Sequence, residues 1–101
     1  YKLYASSNYN LDWNKYGYVN SSTYRKKVVL SLLESEKTPK EISVENNIYI
    51  SHISAVLKDL SLKDVVACLS PNLRRGRIYA LTDEGREIAK KILEKTNSSA
   101  N

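Results

Sequence analysis

The stretch Ser70–Leu81 holds Arg74, Arg75 and Arg77 and no acidic residue. A guanidinium presents a planar fork of N–H donors that matches phosphate oxygens and needs no particular base opposite it. Arg74 and Arg75 lie at the tip of a turn-rich loop, Ser70-Pro71-Asn72-Leu73-Arg74-Arg75-Gly76, so their reach is outward. Phosphate recognition is the chemistry this loop offers. A solvated basic loop is the plainer alternative.

Other chemistries find little support. One histidine, His52, and one cysteine, Cys68, exclude an internal disulfide framework, a multi-cysteine zinc site and most histidine-based catalysis. No nucleophile–base pair or paired-carboxylate site is visible, and three glycines cannot build a phosphate-cradling loop. The chain is not expected to be an enzyme, and no cofactor or metal is expected. Cys68 reads as a small buried hydrophobe, since no second cysteine could resolve an oxidised form.

At 101 residues and 42% hydrophobic, the chain has room for one packed domain and is too apolar for a disordered one. Its net charge of +5 makes an anionic partner plausible without naming it. That charge is uneven. Residues 70–101 carry seven basic and four acidic side chains, a net +3, while 1–20 and 21–69 carry +1 each. No apolar run reaches the roughly 18 residues needed to cross a bilayer, and no basic-then-apolar leader opens the chain. A start at Tyr1 with no Met reads as a trimmed or ordered fragment. The expectation is a soluble, basic, intracellular domain.

Positioning the arginines requires a scaffold, and the periodicities supply one. Residues 1–19 form an aromatic extension with Tyr1, Tyr4, Tyr9, Trp13, Tyr16 and Tyr18. Its first ten residues read as extended or frayed, and Leu11–Val19 reads as folding back on the domain. A first helix follows Ser21-Ser22, with Tyr24, Val28 and Leu32 at i, i+4, i+8. Arg25, Lys26 and Lys27 at its start oppose the helix dipole, so packing must hold it. Thr38-Pro39-Lys40-Glu41 is a capping-box start for a short second helix that ends at Asn46-Asn47, where Asn tolerates a left-handed turn. A third helix spans Tyr49–Leu62, apolar at Ile53, Val56, Leu57 and Leu60, and small and polar at Ser51, Ser54, Ala55, Lys58 and Asp59. Val65–Leu69 and Arg77–Leu81 read as strands flanking the basic loop. Thr82 caps a last helix opened by Asp83 and Glu84, with Ile88, Ala89, Ile92 and Leu93 as its stripe. Residues 96–101 read as a polar tail.

Two helices joined by a tight turn, then a strand, a basic loop, a strand and a helix make an α+β, mainly α, winged helix-turn-helix over residues 20–95. From Val19 to Leu93 the chain resembles archaeal winged helix-turn-helix regulators of the broad ArsR/MarR-like kind. Four stretches carry the likeness: Tyr18-Val19-Asn20-Ser21-Ser22-Thr23-Tyr24-Arg25, Thr38-Pro39-Lys40-Glu41-Ile42, Ser51-His52-Ile53-Ser54 with Leu57 and Leu60, and Gly76-Arg77-Ile78-Tyr79-Ala80-Leu81-Thr82-Asp83-Glu84-Gly85-Arg86. Three positions depart from it. Ala55 stands where a long polar or basic residue is frequent, Ile50 where polar base readers are common, and Asp64 where Gly usually precedes the first wing strand.

The resemblance implies a transcription regulator that binds double-stranded DNA, with the third helix in the major groove and the wing on backbone or minor groove. The DNA-binding set it implies is Lys40, Tyr49, Ser51, His52, Ser54, Ala55, Lys58, Arg74, Arg75 and Arg77. Serine hydroxyls suit phosphates or base edges, Tyr49 a phosphate or thymine methyl, and Lys40 a phosphate at a helix start. An exposed helix face that binds nothing is the bland reading of the same residues. The resemblance also implies a homodimer, its two recognition helices about 34 Å apart. The C-terminal helix and N-terminal segment are its expected interface, although both stretches fit core packing equally. The implied location is cytoplasmic, associated with the nucleoid. Two other readings stand beside it: a winged-helix protein-interaction module in a larger assembly, and RNA or single-stranded DNA binding through the N-terminal aromatics.

Overall fold

The computed structural model describes the backbone of residues 11–100 and the side chains of 11–95. The expectation for Tyr1–Asn10 lies outside the described residues.

Seven elements follow in order: α1 (Trp13–Asn20), α2 (Thr23–Glu34), α3 (Pro39–Asn46), α4 (Ile50–Leu62), β1 (Val66–Cys68), β2 (Tyr79–Leu81) and α5 (Asp83–Ala100). This is the winged-helix plan, mainly helical, with one antiparallel hairpin.

The caps explain most boundaries. Ser22 starts α2 by accepting from the Arg25 N–H at 3.3 Å. Thr38 and Glu41 complete a reciprocal capping box on α3, with Pro39 as its first residue. Asn47, at φ +56°, ends α3 in the left-handed conformation that turns the chain toward α4. Thr82 caps α5, its Oγ1 accepting from the Gly85 N–H at 3.0 Å.

Three features differ from the sequence expectation, and a fourth decides between two readings it left open. Leu11–Val19 contributes a helix, α1, started by Asp12, whose Oδ1 accepts from Asn14 and Lys15 at 3.0 and 3.2 Å. Eight residues with a glycine inside are too short for a clear 3.6 period. What holds α1 is tertiary: Val19 is buried, Lys15 pairs with Glu84 of α5 at 2.6 Å, and the Arg25 guanidinium lies 3.8 Å over the Tyr18 ring. The strands are three residues each, not five; beyond them one more bond, from the Leu69 N–H to the Ile78 carbonyl at 2.7 Å, links the two arms before the loop turns. Arg77 therefore belongs to the loop. Backbone helix α5 runs on to Ala100, where a separate tail from residue 96 was expected. Finally, Ile88, Ala89 and Ile92 of α5 are buried in the chain's own core, whereas Leu93 is exposed. Most of the stripe considered for dimerisation is thus intrachain packing.

That core joins Val19, Val28, Val29, Leu32, Ile42, Ile53, Leu57, Leu60, Val65, Val66, Ile88 and Ile92 in one cluster. Burying Ile53, Leu57 and Leu60 at i, i+4, i+7 contributes about 2 kcal/mol each and pins α4 with its opposite face outward. The hairpin pairs Val66 with Leu81, Ala67 with Ala80 and Cys68 with Tyr79. Tyr79 pairs on its other side with Lys37, through backbone bonds of 2.9 and 3.1 Å, so the wing base is tied to the chain just before α3. At the far end, α5 approaches the hairpin so closely that a Cβ on Gly85 would sit 2.0 Å from the Val65 carbonyl oxygen.

Candidate nucleic-acid interface

Between α4 and the wing lies an open trough of about 990 Å³. Ile50, Ser54, Lys58 and Ser61, at i, i+4, i+8, i+11, line one wall. That spacing keeps them on one face of α4, flanking its buried stripe. Thr38, Pro39 and Lys40 close one end, Cys68 and Tyr79 belong to the sheet, and Arg74–Arg77 form the other wall. No carboxylate lines it among the described residues.

Its electrostatics follow from which cations are committed elsewhere. Lys40, Lys58, Arg74 and Arg75 are exposed, and none has an ion-pair partner among the described residues. Arg77 also lines the trough, but its Nε donates to the Leu73 carbonyl at 2.6 Å and its Nη2 reaches Pro71 at 3.5 Å. Ser70 adds two braces, its Oγ accepting from Ile78 at 2.9 Å and its carbonyl from Leu73 at 3.1 Å. Gly76, at φ +67°, completes the turn. Arg77 thus shapes the loop while Arg74 and Arg75 stand off it.

Of the ten residues predicted for DNA contact, Lys40, Ser54, Lys58, Arg74, Arg75 and Arg77 meet at this trough. Tyr49, Ser51, His52 and Ala55 do not line it, though all are exposed at or near the head of α4. Tyr49, Ile50 and Lys40 border a second depression of about 770 Å³ with Tyr24, Ser43, Val44, Asn47 and Ile48. His52 packs edge-on against Tyr24 at 5.4 Å and tilted against Tyr49 at 6.2 Å between ring centroids. Ile50 lines both depressions and was absent from the predicted set. Its spacing of four and eight from Ser54 and Lys58 was the signal for it. Cys68 is half-buried in the trough rather than a core residue. Arg25, at the start of α2, is spent on the Tyr18 ring and on the Tyr18 carbonyl at 2.8 Å.

Behind the interface, Lys37 fixes α2, α3 and the wing base relative to one another. Its Nζ donates to the Ser31 carbonyl at 2.7 Å, Glu34 at 3.0 Å and Glu45 at 3.1 Å. Burial pulls the Lys37 pKa down, but the hydrogen bonds and charges of Glu34 and Glu45 outweigh it and the ammonium titrates above its usual value. The same hydrogen bond from Lys37 holds the Glu45 carboxyl below the ordinary carboxylate range. Likewise its hydrogen bond to Glu84 raises Lys15. No group of three His, Cys, Asp or Glu able to hold a metal lies among the described residues, and none of their helices is long and apolar enough to cross a membrane.

No family model matches the sequence, nor does any curated protein. Solved structures do. ZitR of Lactococcus lactis, in a mutant form, superposes with a TM-score of 0.67 at 22% identity, over 78% of this chain and 57% of that one. The adhesin competence repressor AdcR of Streptococcus pyogenes gives 0.71 at 17% identity, over 79% and 60%. A MarR family transcriptional regulator from Silicibacter pomeroyi gives 0.67 at 11% identity, over 85% and 62%. The chain thus spans less than two thirds of the length of each of these. At such identities the likeness establishes the winged-helix fold.

Proposed function

We propose that this domain binds double-stranded DNA as a MarR-like transcription regulator, of the archaeal type its sequence resembles, and that it is not an enzyme. The observation that carries the reading is the acid-free trough, where Lys40, Lys58, Arg74 and Arg75 converge without ion-pair partners among the described residues. Four cations facing one concave surface beside an outward-facing helix suit a polyanion with a groove wide enough for that helix. In this reading α4 enters the major groove and the wing lies along backbone or minor groove, with Arg74 and Arg75 on phosphates. Arg77 holds the loop that presents them. The repressor and regulator descriptions of AdcR and the S. pomeroyi protein support the assignment.

Duplex binding measured across salt concentrations tests it. Four phosphates neutralised per protomer give a log–log slope of about −3.6. Absence of binding at low salt refutes the proposal.

A dimer through α1 and α5 belongs to the same reading. With Ile88, Ala89 and Ile92 taken by the core, the exposed Leu93 and Trp13 are the apolar side chains those helices offer a second copy. Light scattering of the full chain distinguishes monomer from dimer. The proposed place of action is the cytoplasm, on the nucleoid. The alternative is a protein-interaction module, and the observation in its favour is the exposed apolar head of α4, Tyr49 and Ile50. Stoichiometric capture of a protein with indifference to DNA would select it.

A further inference from the structure

The exposed surface of α4 is unusual for what it omits. From Tyr49 to Lys58 it carries no Arg, Asn, Gln, Asp or Glu. Guanine is read best by Arg or Lys, adenine by Asn or Gln, and cytosine by Glu or Asp, each through paired hydrogen bonds in the major groove. The one lysine, Lys58, lies eight residues beyond Ile50, about 12 Å along the axis. Base-edge contacts of such helices concentrate at the N-terminal end, so Lys58 falls to the backbone.

At that N-terminal end the structure exposes carbon. Tyr49 is 80% exposed, Ile50 48% and Val44, on the preceding helix, 72%. The methyl of Ala55 follows one and a half turns later, also exposed. Only one base offers an apolar group in the major groove: thymine, through its C5 methyl. His52, edge-on to Tyr24 at 5.4 Å, also contacts the Tyr49 ring at 6.2 Å between centroids.

We propose that the head of α4, through Tyr49 and Ile50, reads thymine methyl groups, so that the preferred duplex carries T·A pairs there. The proposal rests on the DNA-binding reading above and supplies the sequence class which that reading leaves open. A separate feature agrees with it. Arg74 and Arg75, projecting from a braced loop, suit the narrow minor groove of A·T-rich DNA, whose strong negative potential draws in arginine. Both halves of the interface then favour the same composition by different physics.

Removing the methyl and nothing else is the test. Full-length protein selects duplexes from a random pool, and the best binder is resynthesised with deoxyuridine replacing thymidine one position at a time. Pairing and the minor groove are unchanged. Each methyl buried against Tyr49 or Ile50 is expected to cost about fourfold in affinity when removed, and two about 15-fold, the transfer value of one carbon each. A C·G pair substituted for such a T·A pair should bind more tightly when its cytosine carries a 5-methyl group, by a similar factor. The I50A variant, at a half-exposed site, should keep its melting temperature and lose the thymine–uracil discrimination at one position. Equal affinity for thymine and uracil duplexes at every position, or selection of G·C pairs opposite the head of α4, overturns the methyl readout and leaves duplex binding standing. No enrichment of any duplex at low salt overturns both.

Discussion

Replacing Arg74 and Arg75 together by alanine separates phosphate contact from a merely basic surface. Both side chains are exposed and neither makes an ion pair among the described residues, so folding should be unaffected within about 0.5 kcal/mol. Four of the five cations lining the trough carry neither an ion pair nor a hydrogen bond among the described residues, which sets the wild-type salt slope at about −3.6. Losing two of them lowers it to about −1.8. Between 50 and 200 mM salt the wild type should therefore weaken about 150-fold and the R74A/R75A variant only about 12-fold. Fluorescence anisotropy with a labelled duplex reads this directly, and the loss should be nearly uniform across sequences because phosphates carry no base identity. R77A provides the contrast. Its guanidinium braces the loop through the Leu73 carbonyl, so affinity should fall while the slope changes by less than one charge's worth, about 0.9. A slope unchanged by R74A/R75A would show that the wing makes no phosphate contacts, however basic it is.

Three further outcomes follow from the scaffold. G85A should lose about 2 kcal/mol despite a better helix former, because its Cβ would lie 2.0 Å from the Val65 carbonyl oxygen and the hairpin start must move; calorimetry should show a midpoint about 8–16 °C lower. D64G should gain about 0.5–1 kcal/mol by urea denaturation, since Asp64 holds φ at +61° and glycine reaches that region without strain. For pH, Glu45 is depressed in the folded state by its hydrogen bond from Lys37, so its contribution is present above the ordinary carboxylate pKa and is lost as pH falls through the lower folded value. Denaturant midpoints from pH 7 down to 3 should fall on that limb. K37M should start lower at pH 7, having lost the bonds to Ser31, Glu34 and Glu45, and should show a flatter acid limb.

The helices that carry the interface were legible in the chain because their signals are local. Thr38-Pro39-Lys40-Glu41 is a capping box whatever surrounds it, and Asn47 and Asp64 adopt the left-handed conformation their short polar side chains permit. The spacing of Ile53, Leu57 and Leu60 fixed the inner face of α4 and so its outer one. α1 was not legible as a helix, since eight residues cannot nucleate one alone and its support comes from α2 and α5.

The sequence by itself determined the order of elements from α2 onward, the acid-free arginine loop and the apolar stripe of each longer helix. Those depend on neighbours within a turn or two. Tertiary structure decided which cations remain available. Arg25 turns to Tyr18, Lys37 to two carboxylates and Arg77 to its own loop, leaving Lys40, Lys58, Arg74 and Arg75 around the trough. It also decided that Ile88 and Ile92 serve the core and that Ile50 faces outward between two depressions. A charge or a methyl group has the same chemistry anywhere in the chain; whether a neighbour satisfies it first is settled only when the elements pack.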